Sequence, residues 1–217
     1  MRNRISAGME LCSQYWLSCA WFYDSKIAGM LTEIQEKKLT HYFNVLDFDS
    51  NKLIEKDDFT SIGENLCILW GFKPGSDRYN EYITKCENLW VSFREFINQE
   101  IEESASLQEW LEFADKGIVN GSDELYEKHV NQFVKDIFDV FDANGDGFIS
   151  LDEYIDLFMA YRIEIRYSAK SFTKIDLNKD DLISREELLS AVREFYRSND
   201  KDAPGNWLFG FWDGAMW

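Results

Sequence analysis

The sequence contains few of the residues that mark sheet proteins, thiol enzymes or nucleic-acid-binding proteins. It has only two prolines in 217 residues, and long charged amphipathic stretches dominate, which favours an all-helical fold. Its four cysteines form no CxxC pair and do not cluster with the two histidines, so zinc binding and thiol catalysis have little support. The sequence has 23 basic and 40 acidic residues, which gives a formal charge of −17. Nucleic acid is therefore a poor partner, because phosphate binding needs clustered Lys and Arg, whereas cations are natural partners.

The N-terminal stretch lacks most features of a signal peptide or a membrane span. Polar residues interrupt the apolar run from Leu11 to Tyr23, and Glu10 precedes it. The run is also too short and too polar to cross a bilayer. We therefore expect residues 1–34 to form a helical extension that packs on the body of a cytoplasmic protein, without stable membrane insertion.

Short polar segments, dense in Asp, Asn and Glu, recur between segments that follow the helical period. Asp47, Asp142 and Asp176 each open a stretch with oxygen-bearing residues at alternate positions, and the last two starts are one helix–loop–helix unit apart. This is an internal repeat, and it determines the architecture. A turn at Gly71 to Gly75 follows the first unit, and residues 116–123 form the best boundary between two halves.

The expected fold class is all-α, a compact protein of four helix–loop–helix units in two pairs, with short β pairing between the loops of a pair. The N-terminal pair would span residues 35–116 and the C-terminal pair residues 123–197. A Trp-rich tail, residues 198–217, would follow. We expect the protein to be a monomer.

The segment from Asp142 to Glu153 meets every requirement of a calcium loop. Calcium takes six to eight oxygens, and the twelve-residue loop of the EF-hand supplies them from positions 1, 3, 5, 7, 9 and 12, with a glycine turn at position 6. Gly147 makes this turn, and Ile149 at position 8 points inward. The predicted ligands are Asp142, Asn144, Asp146, the backbone carbonyl of Phe148, Ser150 (often through water) and the bidentate Glu153.

Two further segments depart from the pattern only slightly. The segment from Asp176 to Glu187 has Asp181 in place of the glycine, and Asp tolerates the left-handed region better than most residues. Its predicted ligands are Asp176, Asn178, Asp180, the carbonyl of Leu182, Ser184 and Glu187. The first loop, from Asp47 to Asp58, would bind through Asp47, Asp49, Asn51, the carbonyl of Leu53, Glu55 and Asp58.

The first loop is predicted to be a mixed calcium/magnesium site. Lys52 must adopt the turn conformation, which costs about 1–2 kcal/mol. Asp58 replaces the closing Glu and is one methylene shorter, so bidentate contact is harder. A site with six oxygens would suit the octahedral preference of Mg²⁺.

A fourth loop should lie between the first and third, because such hands fold in pairs. The best register runs from Asn98 to Glu109 and places Ala105 inward. Asn at position 1 removes a charge, and Glu100 and Glu102 are bulkier than usual at positions 3 and 5. Both a weakened site and a purely structural hand remain open, and the structural hand is favoured.

The two-half arrangement, the long spacing from the first loop to the second and the closing Asp58 resemble the invertebrate sarcoplasmic calcium-binding proteins. The tail from Ser198 to Asp213 is similar to the end of that group and of its relative calexcitin, and the stretch from Trp90 to Trp110 resembles calexcitin in spacing. The resemblance covers residues 35–213. It implies two EF-hand pairs around a hydrophobic interior and a cytosolic calcium buffer. Calexcitin is a neuronal signalling protein with GTP binding, but the chain has no GxxxxGK loop.

Buffering is the leading interpretation, and calcium sensing with a protein partner is the alternative. A sensor exposes a flexible Met-rich groove, but this chain has five Met against 17 Phe, 10 Tyr and 8 Trp. The Trp-rich tail is more consistent with a plug for its own protein than with a partner-binding peptide. The EF-hand photoproteins share this architecture and rely on several interior histidines. This chain has only two histidines, so we expect no light-emitting enzyme. No ordinary catalytic arrangement stands out either. A carrier of an apolar ligand is a further alternative.

Overall fold

The computed structural model describes residues 30–97 and 104–213, most of which are helical. The helices are α1 Glu33–Leu46, α2 Lys56–Leu69, α3 Asp77–Ile97, α4 Leu107–Phe113, α5 Asp123–Phe141, α6 Leu151–Ala160, α7 Ser168–Ile175 and α8 Arg185–Arg197. Four short strands lie between them: β1 Leu53–Glu55, β2 Ser104–Ser106, β3 Ile149–Ser150 and β4 Leu182–Ile183. Within the described part of the chain, no helix is long and apolar enough to cross a membrane. The predicted all-α class is confirmed, while most of the predicted N-terminal extension lies outside the described residues.

The strands join the helix–loop–helix units into two pairs, as the sequence predicts. β1 pairs antiparallel with β2, with Ile54 opposite Ala105, and β3 pairs antiparallel with β4, with Ile149 opposite Ile183. All four side chains are buried. The inward position of each loop is therefore confirmed, and the pairing of Ala105 confirms the register proposed for the second hand.

Each exit helix begins with a cap built from the loop that precedes it. The hydroxyl of Ser150 accepts a hydrogen bond from the backbone N–H of Glu153 (3.3 Å), and the Glu153 carboxylate accepts one from the backbone N–H of Ser150 (2.9 Å). Ser106 and Ser184 form the same capping box at α4 and α8. These capping hydrogen bonds therefore fix the side chain at the last position of the loop.

The two pairs share an aromatic core. Trp110, fully buried, donates its indole N–H to the backbone carbonyl of Leu39 (2.9 Å) and meets the Tyr42 ring edge-on with centroids 5.8 Å apart. Cys86 lies in this core as a free thiol, as its position on the apolar stripe predicts. A π-helical turn, Ala114–Val119, continues α4, and α5 begins at Asp123.

The C-terminal tail returns into the core of its own protein. Phe209 is 2% exposed and stacks on Tyr42 with ring centroids 4.3 Å apart. The backbone carbonyl of Leu208 accepts a hydrogen bond from the hydroxyl of Tyr154 (2.8 Å), and that of Phe209 lies 2.7 Å from Nε2 of His41. For this described part of the tail, the predicted role as a plug is confirmed, while Trp217 lies outside the described residues.

A buried lysine attaches the tail to α1. The Lys38 ammonium group donates to the backbone carbonyls of Glu194 (3.1 Å) and Ser198 (2.9 Å) and to Oδ1 of Asn206 (2.8 Å). Two of these acceptors lie at the C-terminal end of α8, where a cation also interacts favourably with the helix dipole. Lys38 therefore joins α1, α8 and the tail at one point.

This lysine should make stability depend on pH. Burial lowers the pKa of Lys38 from 10.5 to about 8, an effect that the nearby Glu194 carboxylate partly offsets. Between these two pH values the unfolded chain holds a proton that the folded protein has released, so the contribution of Lys38 to the free energy of unfolding rises as the pH rises. Urea titrations from pH 7.5 to 10 should show this rise, and Lys38→Met should remove it. Parallel curves for the two proteins would contradict the assignment.

Candidate metal centres

Three loops share one unusual backbone conformation. In each, the residues at positions 4 and 6 have positive φ, a region that residues with a side chain rarely adopt. The pairs are Ser50 (62°) and Lys52 (72°), Gly145 (73°) and Gly147 (85°), and Lys179 (62°) and Asp181 (66°). The predicted turn conformations of Lys52 and Asp181 are confirmed, and non-glycine residues also adopt this conformation at position 4 in the first and last loops.

The acidic residue that opens each loop organises the turn. Oδ1 of Asp142 accepts the backbone N–H of Gly145 (2.7 Å), and Oδ2 accepts that of Gly147 (2.9 Å). Asp176 makes the equivalent contacts to residues 179 and 181, whereas Asp47 accepts the backbone N–H groups at positions 5 and 6, those of residues 51 and 52. These bonds curl each loop around its own carboxylates, which is the arrangement a hard cation requires.

The side chains at positions 3 and 5 are oriented by backbone groups of the same loop. Oδ1 of Asn144 accepts the N–H of Asp146 (2.7 Å), and Oδ1 of Asp146 accepts the N–H of Phe148 (2.9 Å). Asn178 and Asp180 repeat both bonds in the last loop. Each side chain keeps a second oxygen or further lone pairs for a cation.

The closing glutamates bridge the two ends of their loops. Glu153 accepts the backbone N–H of Ala143 (3.0 Å) near the start and that of Ser150 (2.9 Å) near the end. Glu187 does the same with Leu177 and Ser184. Burial acts to raise the pKa of Glu187, but these hydrogen bonds outweigh it and hold the pKa below its ordinary value. Glu187 therefore stays an anion, the form that binds calcium.

The first loop closes in the same manner although its last residue is shorter. Oδ1 of Asp58 accepts the backbone N–H of Phe48 (2.9 Å), and Oδ2 accepts that of Glu55 (2.7 Å). Carboxylate oxygens of Asp47, Asp49 and Asp58 lie within 4.8 Å of one another. Burial raises the pKa of Asp58, which backbone hydrogen bonds partly counteract. Three carboxylates at this spacing fit a divalent cation.

The second loop is only partly described. Its candidate residues Asn98, Glu100 and Glu102 lie outside the described residues. Glu109 is exposed, and its carboxylate accepts the backbone N–H (2.9 Å) and the hydroxyl (2.6 Å) of Ser106. These bonds lower the pKa of Glu109. Whether this hand binds metal stays a prediction.

The predicted ligands of each of the three loops lie in one turn of the chain, but among the described residues only the first loop brings three carboxylates within 4.8 Å of one another. The structure also adds a contact that the sequence did not indicate. The Arg162 guanidinium lies over the ring of Phe48, 3.8 Å from its centroid. Arg162 belongs to the turn between α6 and α7, so the first loop touches the C-terminal pair. Sequence periodicity carries no signal for such a contact, because the two residues are far apart in the chain.

Replacing Lys52 by Gly should stabilise the protein. Relief of the left-handed conformation contributes about 1–2 kcal/mol, from which the greater freedom of glycine in the unfolded chain subtracts about 0.5–1 kcal/mol. Lys52→Ala keeps the Cβ at φ 72° and serves as the matched control. We expect a higher melting temperature for Lys52→Gly alone, and equal melting temperatures for the two variants would contradict the strain.

Comparisons with known proteins agree with this geometry. Residues 133–161 match the family model described as EF hand domain. Calerythrin of Saccharopolyspora erythraea is 23% identical over 171 residues, which cover 77% of this chain and 94% of that protein.

Solved structures show the same fold. The coelenterazine-binding protein of Renilla muelleri matches with a TM-score of 0.67 at 20% identity, over 83% of this chain and 99% of that one. The sarcoplasmic calcium-binding protein of amphioxus matches with a TM-score of 0.57 at 18% identity, over 84% and 99%. At these identities the likeness concerns the arrangement of the helices and loops.

Proposed function

We propose that this chain, which contains an EF hand domain at residues 133–161 and is similar to calerythrin, is a cytoplasmic calcium buffer of the sarcoplasmic type. The carboxylates gathered in each loop repel one another, and a bound ion offsets that repulsion. We propose that three loops bind, those opened by Asp47, Asp142 and Asp176. Three calcium ions would change the formal charge from −17 to −11.

The position of the tail is the observation that favours a calcium buffer over a calcium sensor. A sensor needs an open apolar groove for its target. In the C-terminal pair, Leu208 and Phe209 fill the space between Tyr154, Leu157 and Leu188, and leave a cavity of about 10 Å³. That is about the space of one water molecule. A groove filled by the chain itself favours a protein that binds calcium without recruiting a target there.

Dye binding separates the two functions. With 1-anilinonaphthalene-8-sulfonate, a buffer should give lower fluorescence after calcium is added, because the ion tightens a structure whose apolar surface is already covered. A sensor should give a large rise. A rise in dye fluorescence on calcium addition would contradict the buffer. If Phe209→Ala left that rise unchanged, the result would also contradict the role of the tail as a plug.

We propose that the first loop exchanges calcium with magnesium. Asp58 is shorter than Glu, which favours one ligand oxygen rather than two, and a site with six oxygens suits the octahedral Mg²⁺. Asp58→Glu should therefore shift the loop toward calcium. Competition titrations with Mg²⁺ present should show a larger calcium preference for this variant than for the wild type.

Carriage of an apolar ligand is the second candidate, favoured by a cavity between the two pairs. Its volume is about 130 Å³, and its lining includes Tyr42, Trp110 and His129. Pockets for drug-sized ligands measure about 300–1,000 Å³, so the cavity is small for this task. Titration with coelenterazine should give no saturable quenching of Trp fluorescence, whereas saturation at one equivalent would favour the carrier.

A further inference from the structure

A second, larger groove shares no lining residue with the filled C-terminal groove. Its volume is about 1,000 Å³, and it runs between α1, the first calcium loop, the turn at residues 161–167 and the tail at residues 211–213. An α-helix with its side chains is about 10–12 Å wide and rises 1.5 Å per residue. The groove therefore has room for about two turns of helix, roughly eight residues.

Aromatic side chains of the turn and the tail contribute to the lining. The rings of Tyr167 and Phe211 stack with centroids 5.7 Å apart, and Phe211 also meets Trp207 at 5.7 Å. Tyr167, Phe211 and the neighbouring Trp212 are only partly buried and line the groove. Large, rigid aromatic groups that are held in place lose little entropy on binding, which is why such residues anchor protein interfaces.

Acidic side chains outnumber basic ones along the groove. The acidic lining residues are Glu33, Glu36, Asp47, Glu164 and Asp213, and the basic ones are Lys37 and Arg162. Both basic groups are engaged within the protein, since Lys37 pairs with Glu33 (2.8 Å) and Arg162 lies over Phe48. Three of the acidic groups are engaged as well, since Glu33 pairs with Lys37, Glu164 pairs with Arg166 and Asp47 belongs to the first calcium loop. Glu36 and Asp213 therefore supply the charge that remains to attract a cationic partner.

We propose that this groove is a docking surface for a basic amphipathic peptide segment of a partner protein. Apolar side chains of the segment would cover Tyr167, Phe211 and Trp212, and its Lys or Arg side chains would face Glu36 and Asp213. This role goes beyond buffering, because it would hold a calcium buffer beside a particular partner.

A labelled model peptide tests the proposal. The probe is a fluorescein-labelled, helix-forming peptide of Lys and Leu, about eight residues long. Two control peptides carry Glu for Lys or Ser for Leu. Fluorescence anisotropy with the full-length, calcium-saturated protein should show saturable binding of the Lys/Leu peptide and no binding of either control peptide. Its affinity should fall as salt is raised, because charge attraction contributes.

Protein variants locate the binding. Glu36→Lys combined with Asp213→Lys should weaken binding at least tenfold, and Trp212→Ala should weaken it without altering the salt dependence. Both acidic residues are exposed, so the charge reversal should leave the fold intact, which a melting curve checks. Glu124→Lys is the control, an exposed acid that does not line the groove. Absence of binding by the Lys/Leu peptide would overturn the proposal. Glu36→Lys alone is compared with Glu124→Lys, because each reverses one charge, and an equal loss of peptide affinity in these two variants would also overturn it.

Discussion

Glu153→Gln is expected to weaken calcium binding at the third loop by about a hundredfold or more, which corresponds to about 2.7 kcal/mol. The carboxylate of Glu153 bridges the backbone N–H groups of Ala143 and Ser150, and it is the predicted bidentate ligand of the site. Changes to groups that merely support a ligand typically cost 10–100-fold in metal affinity, so loss of the ligand charge itself should cost at least as much. Calcium titration by calorimetry measures the effect.

The control for this variant is Asp152→Asn. Asp152 is an exposed neighbour in the first turn of the same helix, and its change removes the same charge. We expect the calcium affinity of Asp152→Asn to stay within a few-fold of that of the wild type. The last loop should also weaken in Glu153→Gln, because Ile149 pairs directly with Ile183. Similar affinities for the two variants would mean that Glu153 acts through general electrostatics and does not bind the ion.

Phe209→Ala should lower the free energy of unfolding by about 3–5 kcal/mol, the usual cost of removing a buried phenylalanine ring. Phe209 stacks on Tyr42, and its ring centroid lies 5.3 Å from that of Phe195. The substitution leaves a cavity where α1, α8 and the tail meet. It should also reopen the apolar groove of the C-terminal pair and increase dye binding.

Phe211→Ala is the matched control in the same tail. Phe211 is only partly buried, so the loss of stability should be much smaller. Urea denaturation of the calcium-loaded proteins gives both values. A loss below about 0.5 kcal/mol for Phe209→Ala, the range of ordinary surface changes, would show that the tail contributes little to the core.

The repeat made much of this architecture predictable from sequence. The spacing of oxygen-bearing residues identified the loops, and the apolar residue at position 8 predicted the pairing of Ile54 with Ala105 and of Ile149 with Ile183. These are local features, since a loop of twelve residues contains all of its own ligands. The left-handed turn at Lys52 was also predictable, because position 6 requires it regardless of the residue present.

Contacts between distant segments were not predictable in detail. The sequence suggested that the tail plugs its own protein, but it did not indicate that Lys38 would hold Asn206, or that Phe209 would stack on Tyr42. The contact between Arg162 and Phe48 likewise depends on how the two pairs pack. Such contacts arise from tertiary packing, for which periodicity and spacing carry no signal.

The central claim is that three loops bind calcium and that the second hand completes the fold. Calorimetric titration of the wild type beside Asp58→Ala and Glu109→Gln tests it most directly. We predict three calcium ions for the wild type, loss or strong weakening of one ion in Asp58→Ala, and no change in Glu109→Gln. No heat and no stoichiometry for calcium or magnesium would contradict the account, and loss of an ion in Glu109→Gln would contradict its assignment of the second hand.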